Sequence, residues 1–369
     1  MKITNLESFL IHVSSKYIER NWHIVKLDTD EGLSGVGEVT LDEKGKTVEA
    51  ALREVKRYIL GKDPFQIERH WQAMYGTWWR KGPVLMSALS GVEQALWDIV
   101  GKKLETPIYN LLGGAYRDKI KVYANMQSSQ IPEELAEEAK SHVAKGITAV
   151  KFFYRGKRLR SRELMPLLQA LRDAVGEKVD IALDFTGRYR PDEVLRVAKE
   201  LEEFGLLFLE EPISFENIDA LAKLTAAVRI PIATGERLLS KFEFRELLEK
   251  RAADIIQPDP CNSGGILECR KVAAMAEAHY IPVALHNPYS PVGTAVCVQL
   301  DTCIPNSTLQ EYKEDDIPLR AEFLKEPIRA KNGFIPVPTK PGLGIELNED
   351  LLAELREKHP YEAPEWGSY

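Results

Sequence analysis

Short apolar runs alternate with stretches of helical periodicity over the larger, second part of the chain. Runs of strand length lie near residues 121, 150, 182, 208, 232, 255, 283 and 309, and each but the last is followed by apolar positions at helical spacing. This alternation is typical of a parallel sheet whose strands are connected by helices. Eight such units predict an α/β fold of the (β/α)8 TIM-barrel type.

The first 40 residues have a different pattern, in which apolar and polar positions alternate. Three such segments are KITNLESFLIHV, HIVKLDTD and GLSGVGEV, and the DEG turn at 30–32 between the last two predicts a hairpin. Apolar positions at helical spacing follow at 49–60 and 84–104. We therefore predict an N-terminal α+β capping domain at 1–115, followed by the barrel at 116–315.

The last segment, residues 316–369, carries scattered prolines and one short stretch of helical pattern near 349–358. It follows the eighth predicted strand, so the barrel does not need it to close. We expect this segment to pack back on the capping domain.

Composition and charge narrow the classes of partner. The chain has 369 residues with a net charge of −7, which argues against nucleic acid or an anionic membrane as the main partner. The N-terminal stretch MKITNLESFLIHV lacks the long apolar core of a signal peptide, and no stretch is apolar enough to span a bilayer. The four cysteines form no C-x-x-C pair. We expect a cytoplasmic location.

Three of the apolar runs end on carboxylates that are separated by one constant interval. Asp184, Glu210 and Glu236 follow IAL, LLFL and IPIATG, and both 210−184 and 236−210 equal 26. Residues at the carboxyl ends of parallel barrel strands share one rim, where barrel active sites lie. Converging carboxylates repel one another unless a cation lies between them. Oxygen ligands without thiolate or imidazole predict a Mg²⁺ site.

The same spacing continues through two further units. Asp259 follows IIQP, 23 residues after Glu236, and His286 follows VAL, 27 residues after Asp259. An aspartate bonded to one ring nitrogen of a histidine sets the tautomer and raises the basicity of the other nitrogen. We therefore predict that Asp259 and His286 form a general-base pair on the rim.

These residues stand in motifs that resemble the enolase superfamily, in its mandelate racemase-like branch. The chain is most similar to the acid-sugar dehydratases of the galactonate type. The motifs are DFTGR (184–188), EEP (210–212), ATGER (233–237), QPD (257–259), SGG (263–265), LHNP (285–288) and QEY (310–312). The resemblance implies that Asp184, Glu210 and Glu236 bind Mg²⁺ and that Glu311 on the last strand contacts the substrate. It also implies proton transfer by Asp259 and His286.

The chain departs from the family pattern at two positions. Members that use a lysine base have K-x-K on the second barrel strand, whereas this chain has Lys151 followed by Phe152 and Phe153. Galactonate-type members have D-F-H at the first metal ligand, and here the third residue is Thr186. These departures leave His286 as the predicted single base. We expect Lys151 to hold the substrate carboxylate.

Loops around the predicted rim supply candidate substrate contacts. The 14–22 loop (SSKYIERNW) is expected to present hydrogen-bonding groups and an apolar wall to a polyol. The loop after the second barrel strand and a position just beyond the first metal ligand add further candidates. The predicted substrate-binding residues are Tyr17, Arg20, Trp22, Tyr154, Arg155 and Arg188.

The resemblance and the single base together predict a reaction. We expect a Mg²⁺-dependent lyase that removes the proton α to a carboxylate and eliminates the β-hydroxyl, giving a 2-keto-3-deoxy sugar acid. The expected partner is a small sugar acid, and we also expect a homo-oligomer. Two alternatives stay open, namely an epimerase, racemase or cycloisomerase of the same superfamily, and a barrel that binds a sugar acid without converting it.

Overall fold

The computed structural model describes residues 1–14, 19–76, 81–127, 129–314 and 317–358. An antiparallel sheet opens the chain, in the order β1-β2-β3. Its strands are β1 (Ile3–Ser14), β2 (Glu19–Thr29) and β3 (Ser34–Glu38). Gly32, with φ of 79°, occupies the turn between β2 and β3, a conformation that glycine adopts without steric cost. The predicted meander is confirmed.

Four helices follow this sheet in the chain, and the first and third of them pack on it. They are α1 (Gly45–Ile59), α2 (Ile67–Tyr75), α3 (Pro83–Lys103) and α4 (Ile108–Leu111). The sequence pattern predicted α1 and α3 but missed α2. Helix α3 lies directly on β3. The approach is so close that a Cβ atom on Gly37 would be 2.0 Å from the carbonyl oxygen of Gly91. Only glycine permits this approach, which places polar side chains of α3 close to the barrel.

Seven named strands form the second, parallel sheet, in the order β10-β4-β5-β6-β7-β8-β9. They are β4 (Lys119–Asn125), β5 (Ala149–Phe153), β6 (Asp180–Asp184), β7 (Leu209–Glu210), β8 (Ile232–Thr234), β9 (Ile255–Ile256) and β10 (Gln310–Tyr312). Parallel bridges from Ile256 to Val283 and from Val283 to Ser307 continue the sheet beyond β9. Because β10 pairs with β4, the sheet closes, and the predicted (β/α)8 barrel is confirmed.

Helices cover the outside of this barrel and connect its strands. They are α5 (Pro132–Ala144), α6 (Ser161–Val175), α7 (Pro191–Glu202), α8 (Ile218–Ala227), α9 (Ser240–Glu249), α10 (Gly265–Ala278) and α11 (Pro291–Cys303). Buried leucines, isoleucines and valines fill the space between strands and helices. Inside the barrel, Tyr123 and Phe208 meet edge to face, with ring centroids 5.9 Å apart, over three alanines. This layer closes the barrel below the rim.

The segment after β10 contacts both units. It contains a 3-10 helix (Pro318–Ala321), β11 (Phe334–Pro336) and α12 (Glu349–Lys358). Strand β11 pairs antiparallel with β4, and Glu349 at the start of α12 forms a 2.6 Å ion pair with Lys26 of β2. The domain limits at 115 and 315 stay predictions. Within the described ranges, no helix has the length and apolar character needed to cross a membrane.

Candidate active site

The predicted metal ligands lie on one rim of the barrel. Asp184 ends β6 and Glu210 ends β7, and these two residues are direct partners in the parallel register. Glu236 follows β8 by two residues. Asp184 and Glu210 are buried, and Glu236 is partly exposed. The sheet register therefore brings Asp184 and Glu210 side by side, as the constant spacing predicted.

A lysine ammonium lies among these carboxylates. Lys151 of β5 is fully buried, and its Nζ lies 2.6 Å from Glu210 Oε1 and 3.2 Å from Glu311 Oε1. The same nitrogen is 3.8 Å from Asp184 Oδ2. Burial lowers the pKa of Lys151, but Glu210 and Glu311 outweigh it and raise the pKa well above its ordinary value. The lysine is therefore a charged counter-ion inside the site.

One lysine does not compensate all of this negative charge. Burial first, and then Glu210, raise the pKa of Asp184 well above its ordinary range. Burial also raises the pKa of Glu210. Asp184 Oδ1 accepts a 2.6 Å hydrogen bond from the backbone N–H of Thr186, whereas Oδ2 is buried and accepts none from the described residues. A buried carboxylate oxygen without a hydrogen bond is costly, and a further cation would relieve it.

The two residues predicted to form a general-base pair, Asp259 and His286, are in contact. His286 Nδ1 lies 2.8 Å from Asp259 Oδ2, and the other oxygen of Asp259 accepts a 2.7 Å hydrogen bond from the backbone N–H of Cys261. A carboxylate only accepts, so Nδ1 carries the proton and Nε2 is the atom left for chemistry. Nε2 lies 3.2 Å from Glu236 Oε2. Nε2 of His286 therefore faces the carboxylates of the rim.

The charge of His286 depends on those neighbours. Burial alone would lower its pKa, but Glu236, Glu311 and Asp259 together raise the pKa to about 10. In this arrangement the ring is an imidazolium at neutral pH, and the base form requires that the charge of Glu236 be compensated. The protonation state of His286 therefore depends on whether a cation compensates the charge of Glu236.

Glu311 of β10 lies between the lysine and the imidazole. Its Oε2 accepts a 2.7 Å hydrogen bond from the backbone N–H of Asn287 and is 4.0 Å from His286 Nε2. Burial would raise its pKa, but Lys151 and then His286 lower the pKa to about 2. Asn125 also donates to Oε1. Glu311 is thus a buried carboxylate anion that lies between Lys151 and His286.

Arg237, which was not predicted as a site residue, contacts groups that follow three different strands. Its guanidinium lies 3.0 Å from Glu211 Oε2 and 3.5 Å from Glu236 Oε1, and it donates to the carbonyl oxygen of Thr186 at 3.2 Å. Gln257, also missed, donates to Glu210 Oε2 at 2.7 Å. Arg237 directly follows the predicted ligand Glu236, and Gln257 stands in the same QPD motif as Asp259. These positions were the available signal.

The side chains fit a hard divalent cation by their chemistry, because they are convergent oxygen donors with excess negative charge. As they stand, however, no group of three His, Cys, Asp or Glu side chains within the described ranges is gathered closely enough to hold a metal ion. The contacts explain this. Glu210 pairs with Lys151, and Glu236 pairs with Arg237 and His286. The Mg²⁺ ligand set therefore stays a prediction.

Two predicted substrate contacts, Trp22 and Tyr154, are packed among other aromatic side chains. Trp22 was expected in a loop, but it lies within β2, is fully buried, and packs edge to face on Phe323 with ring centroids 5.0 Å apart. Tyr154 is also buried, and its ring packs beside Phe185 and Tyr189. Apolar burial outweighed the exposure expected of loop aromatics. The contact of Trp22 and Tyr154 with substrate stays a prediction.

The predicted arginine contacts lie nearer the mouth. Arg20 donates from Nη1 to the carbonyl oxygen of Pro288 at 2.6 Å, two residues beyond His286. Desolvation, and then the charges of Arg188 and Arg20, lower the pKa of Arg155, so the three guanidinium groups lie in one region. Their contact with substrate stays a prediction. Tyr17 lies outside the described residues.

The arrangement of barrel, rim carboxylates and Asp–His pair matches known families. Residues 134–351 match the family model described as "Enolase C-terminal domain-like", and residues 10–113 match "Mandelate racemase / muconate lactonizing enzyme, N-terminal domain". The chain belongs to the mandelate racemase/muconate lactonizing enzyme family. Membership of this family confirms the resemblance drawn from the motifs.

Several relatives of this family member align with nearly all of its chain. It is 38% identical to the D-galactonate dehydratase of Variovorax paradoxus, covering 99% of this chain and 97% of that protein. A second D-galactonate dehydratase, from Pectobacterium atrosepticum, is also 38% identical, with 99% and 96% covered. Among solved structures, a family member from Labrenzia alexandrii superposes with a TM-score of 0.92 at 33% identity, covering 99% of this chain and 98% of the other.

Proposed function

We propose that this protein is a Mg²⁺-dependent sugar-acid dehydratase that converts its substrate to a 2-keto-3-deoxy sugar acid. The observation that carries the proposal is the 2.8 Å contact between His286 Nδ1 and Asp259, which leaves Nε2 facing the carboxylate-lined rim. The named relatives are D-galactonate dehydratases. A dehydratase is a hydro-lyase, so these relatives also confirm the predicted lyase class.

The residues of the chain divide the reaction between them. His286 Nε2 takes the proton from the carbon α to the substrate carboxylate, while Asp259 holds the ring and stabilises the imidazolium. The electron pair of the broken C–H bond forms the Cα–Cβ double bond, and the β-hydroxyl leaves with the proton from His286 as water. The resulting enol then tautomerises: Cβ takes a proton from water, the enol hydroxyl on Cα gives its proton to water, and the product is the 2-keto acid.

The predicted metal would be held by Asp184, Glu210 and Glu236. When bound, Mg²⁺ supplies positive charge that offsets these carboxylates, favours the neutral imidazole and stabilises negative charge developing on the substrate carboxylate. Lys151 adds a second cation in the same region, where its ammonium already balances Glu210 and Glu311. Both charges act in a buried site, where electrostatic stabilisation is strong.

One base suits elimination on a single face of the substrate. A two-base racemase needs a second proton carrier opposite His286, but the only lysine of β5, Lys151, is engaged by three carboxylates. The position of the second family histidine is Thr186. These features favour dehydration over racemisation.

A screen of sugar acids tests the proposal. The protein is incubated with hexonates, pentonates and deoxyhexonates in Mg²⁺, and 2-keto acid is measured, with His286→Asn as the matched control. We expect keto acid with the wild type and none with the variant. Exchange of the α-proton for solvent deuterium without loss of water would instead indicate an epimerase, and binding without exchange or product would indicate a non-catalytic barrel.

A further inference from the structure

A buried carboxylate of the N-terminal sheet reaches the segment that carries His286. Glu38, the last residue of β3, is fully buried and accepts four hydrogen bonds. Its Oε1 accepts from Ser290 N at 3.0 Å and from Thr40 Oγ1 at 2.7 Å. Its Oε2 accepts from Ser290 Oγ and Gly293 N, both at 2.7 Å. These contacts hold the start of α11, which begins five residues after His286.

A second polar side chain connects Glu38 to the segment that carries Asp259. Gln94 of α3 is fully buried, and its Oε1 accepts a 2.8 Å hydrogen bond from the backbone N–H of Glu38. Its Nε2 donates to the carbonyl oxygen of Pro260 at 2.8 Å. Pro260 directly follows Asp259. Glu38 and Gln94 therefore join the two segments that carry the dyad, and both come from outside the barrel.

The cost of this arrangement points to a role beyond packing. Burial raises the pKa of Glu38, and its hydrogen bonds from Ser290, Thr40 and Gly293 oppose that effect. A well-packed apolar side chain would join the two units without such a desolvation cost. A carboxylate with four donors, by contrast, fixes distance and direction at once.

The start of α11 is also packed closely against Glu38. A Cβ atom on Gly293 would lie 2.7 Å from Glu38 Oε2 and 3.4 Å from Cys261 Sγ. The backbone of α11 is thus seated directly on the carboxylate. A displacement of about 1 Å at a reacting group can cost on the order of 100-fold in rate.

We infer that Glu38, through Gln94 and the start of α11, is a positioning residue that sets the geometry of the Asp259–His286 pair. Its carboxylate fixes the segment after His286, and its backbone fixes Gln94 against the segment after Asp259. The N-terminal unit thereby takes part in catalysis without touching the reacting atoms. This inference rests on the proposed role of His286 in the dehydratase reaction.

Kinetics of Glu38→Gln test the inference against a matched control, Glu93→Gln. Glu93 is likewise a fully buried carboxylate, and it accepts from Ile266 N and Leu267 N at the start of α10. For Glu38→Gln we expect kcat to fall by about 10- to 100-fold, with KM within about twofold. The isotope effect with α-deuterated substrate should rise, because proton abstraction becomes slower relative to later steps.

The control separates positioning from loss of folded protein. A sample that is partly unfolded has a lower kcat but an unchanged KM and isotope effect, and that is the result we expect at most for Glu93→Gln. Gly293→Ala perturbs the same contact from the barrel side, because its methyl group would meet Glu38 Oε2. Gly293→Ala should therefore show the same raised isotope effect as Glu38→Gln. If Glu38→Gln does not fold, Gly293→Ala provides the test.

A measurement without substrate keeps this inference separate from the proposed function. The Nδ1–H proton of His286 is observed by NMR of protein with ¹⁵N-labelled histidine and is assigned by its loss in His286→Asn. It should shift or broaden in Glu38→Gln or Gly293→Ala and remain unchanged in Glu93→Gln. An unchanged resonance, kcat and isotope effect would overturn the inference. Failure of every sugar acid to react with the wild type would instead overturn the function.

Discussion

The ammonium of Lys151 lies 2.6 Å from the carboxylate of Glu210, and both side chains are fully withdrawn from water. The same ammonium is the nearest cation to Glu311 and Asp184. One positive charge therefore serves three buried carboxylates. Buried charges are stable only when they are paired, so this part of the rim retains a need for further positive charge.

Replacing Lys151 tests how much of the fold depends on this charge balance. In Lys151→Met we expect the free energy of unfolding in EDTA to fall by about 3–5 kcal/mol, because three buried carboxylates lose their counter-ion. Mg²⁺ should stabilise the variant more than the wild type, since it offsets the same carboxylates. Urea unfolding with EDTA or Mg²⁺ measures both effects.

Lys102→Met is the matched control for that experiment. Lys102 forms a 2.7 Å ion pair with Asp98 on α3, away from the rim. Its loss of stability should be the same with EDTA and with Mg²⁺. A Lys151→Met protein as stable as the wild type in EDTA would contradict the proposed charge balance.

Arg237 is expected to control metal affinity without binding the metal. Its guanidinium holds Glu211, Glu236 and the carbonyl oxygen of Thr186, and groups that orient metal ligands typically contribute about 10- to 100-fold in affinity. We therefore expect Arg237→Gln to weaken Mg²⁺ binding by about that factor in isothermal titration calorimetry. Arg245→Gln, which removes an exposed pair with Glu249, should bind Mg²⁺ as the wild type does.

The role of Asp259 is expected to appear in turnover rather than in folding. Asp259→Asn has nearly the same shape, but its amide can donate a hydrogen bond to Nδ1 of His286 and so favours the wrong tautomer. We expect kcat to fall by about 10⁴-fold, as it does when such a pair is altered in this way. Asp254→Asn is the matched control, because Asp254 lies at the other end of the barrel, where its carboxylate accepts a 2.8 Å hydrogen bond from Ile232 N. Wild-type turnover by Asp259→Asn would refute the dyad.

Stability should depend on pH through Glu93. Burial is the first cause that raises its pKa, from 4.5 to about 7. The folded state then binds more protons than the unfolded state between these values, so the contribution of Glu93 to stability is lost as the pH rises from 4.5 to 7. The shift corresponds to about 3 kcal/mol.

Glu93→Gln isolates this contribution. The stability of the wild type relative to the variant should fall by up to about 3 kcal/mol between pH 5 and pH 8, because glutamine does not titrate. Urea unfolding of both proteins at the two pH values gives the difference directly, since other groups titrate in both. A difference that is independent of pH would show that Glu93 keeps an ordinary pKa.

The sequence by itself determined the barrel, its rim and the two residues of the Asp259–His286 contact. Strand period and helix period are local properties, and side chains at the carboxyl ends of successive parallel strands share one rim in any such barrel. The equal spacing of Asp184, Glu210 and Glu236, followed by Asp259 and His286, therefore indicated that these residues are neighbours before any contact was known.

Only the tertiary structure decided how these groups are balanced and held. Lys151 could have been a rim lysine, and its place among Asp184, Glu210 and Glu311 depends on the register of four strands. Glu38 meets Ser290 across 252 residues of sequence, and no periodicity reports such a contact. Trp22 is buried because Phe323, far along the chain, covers it. Charge pairing and packing are properties of neighbours in space, which local patterns along a chain do not contain.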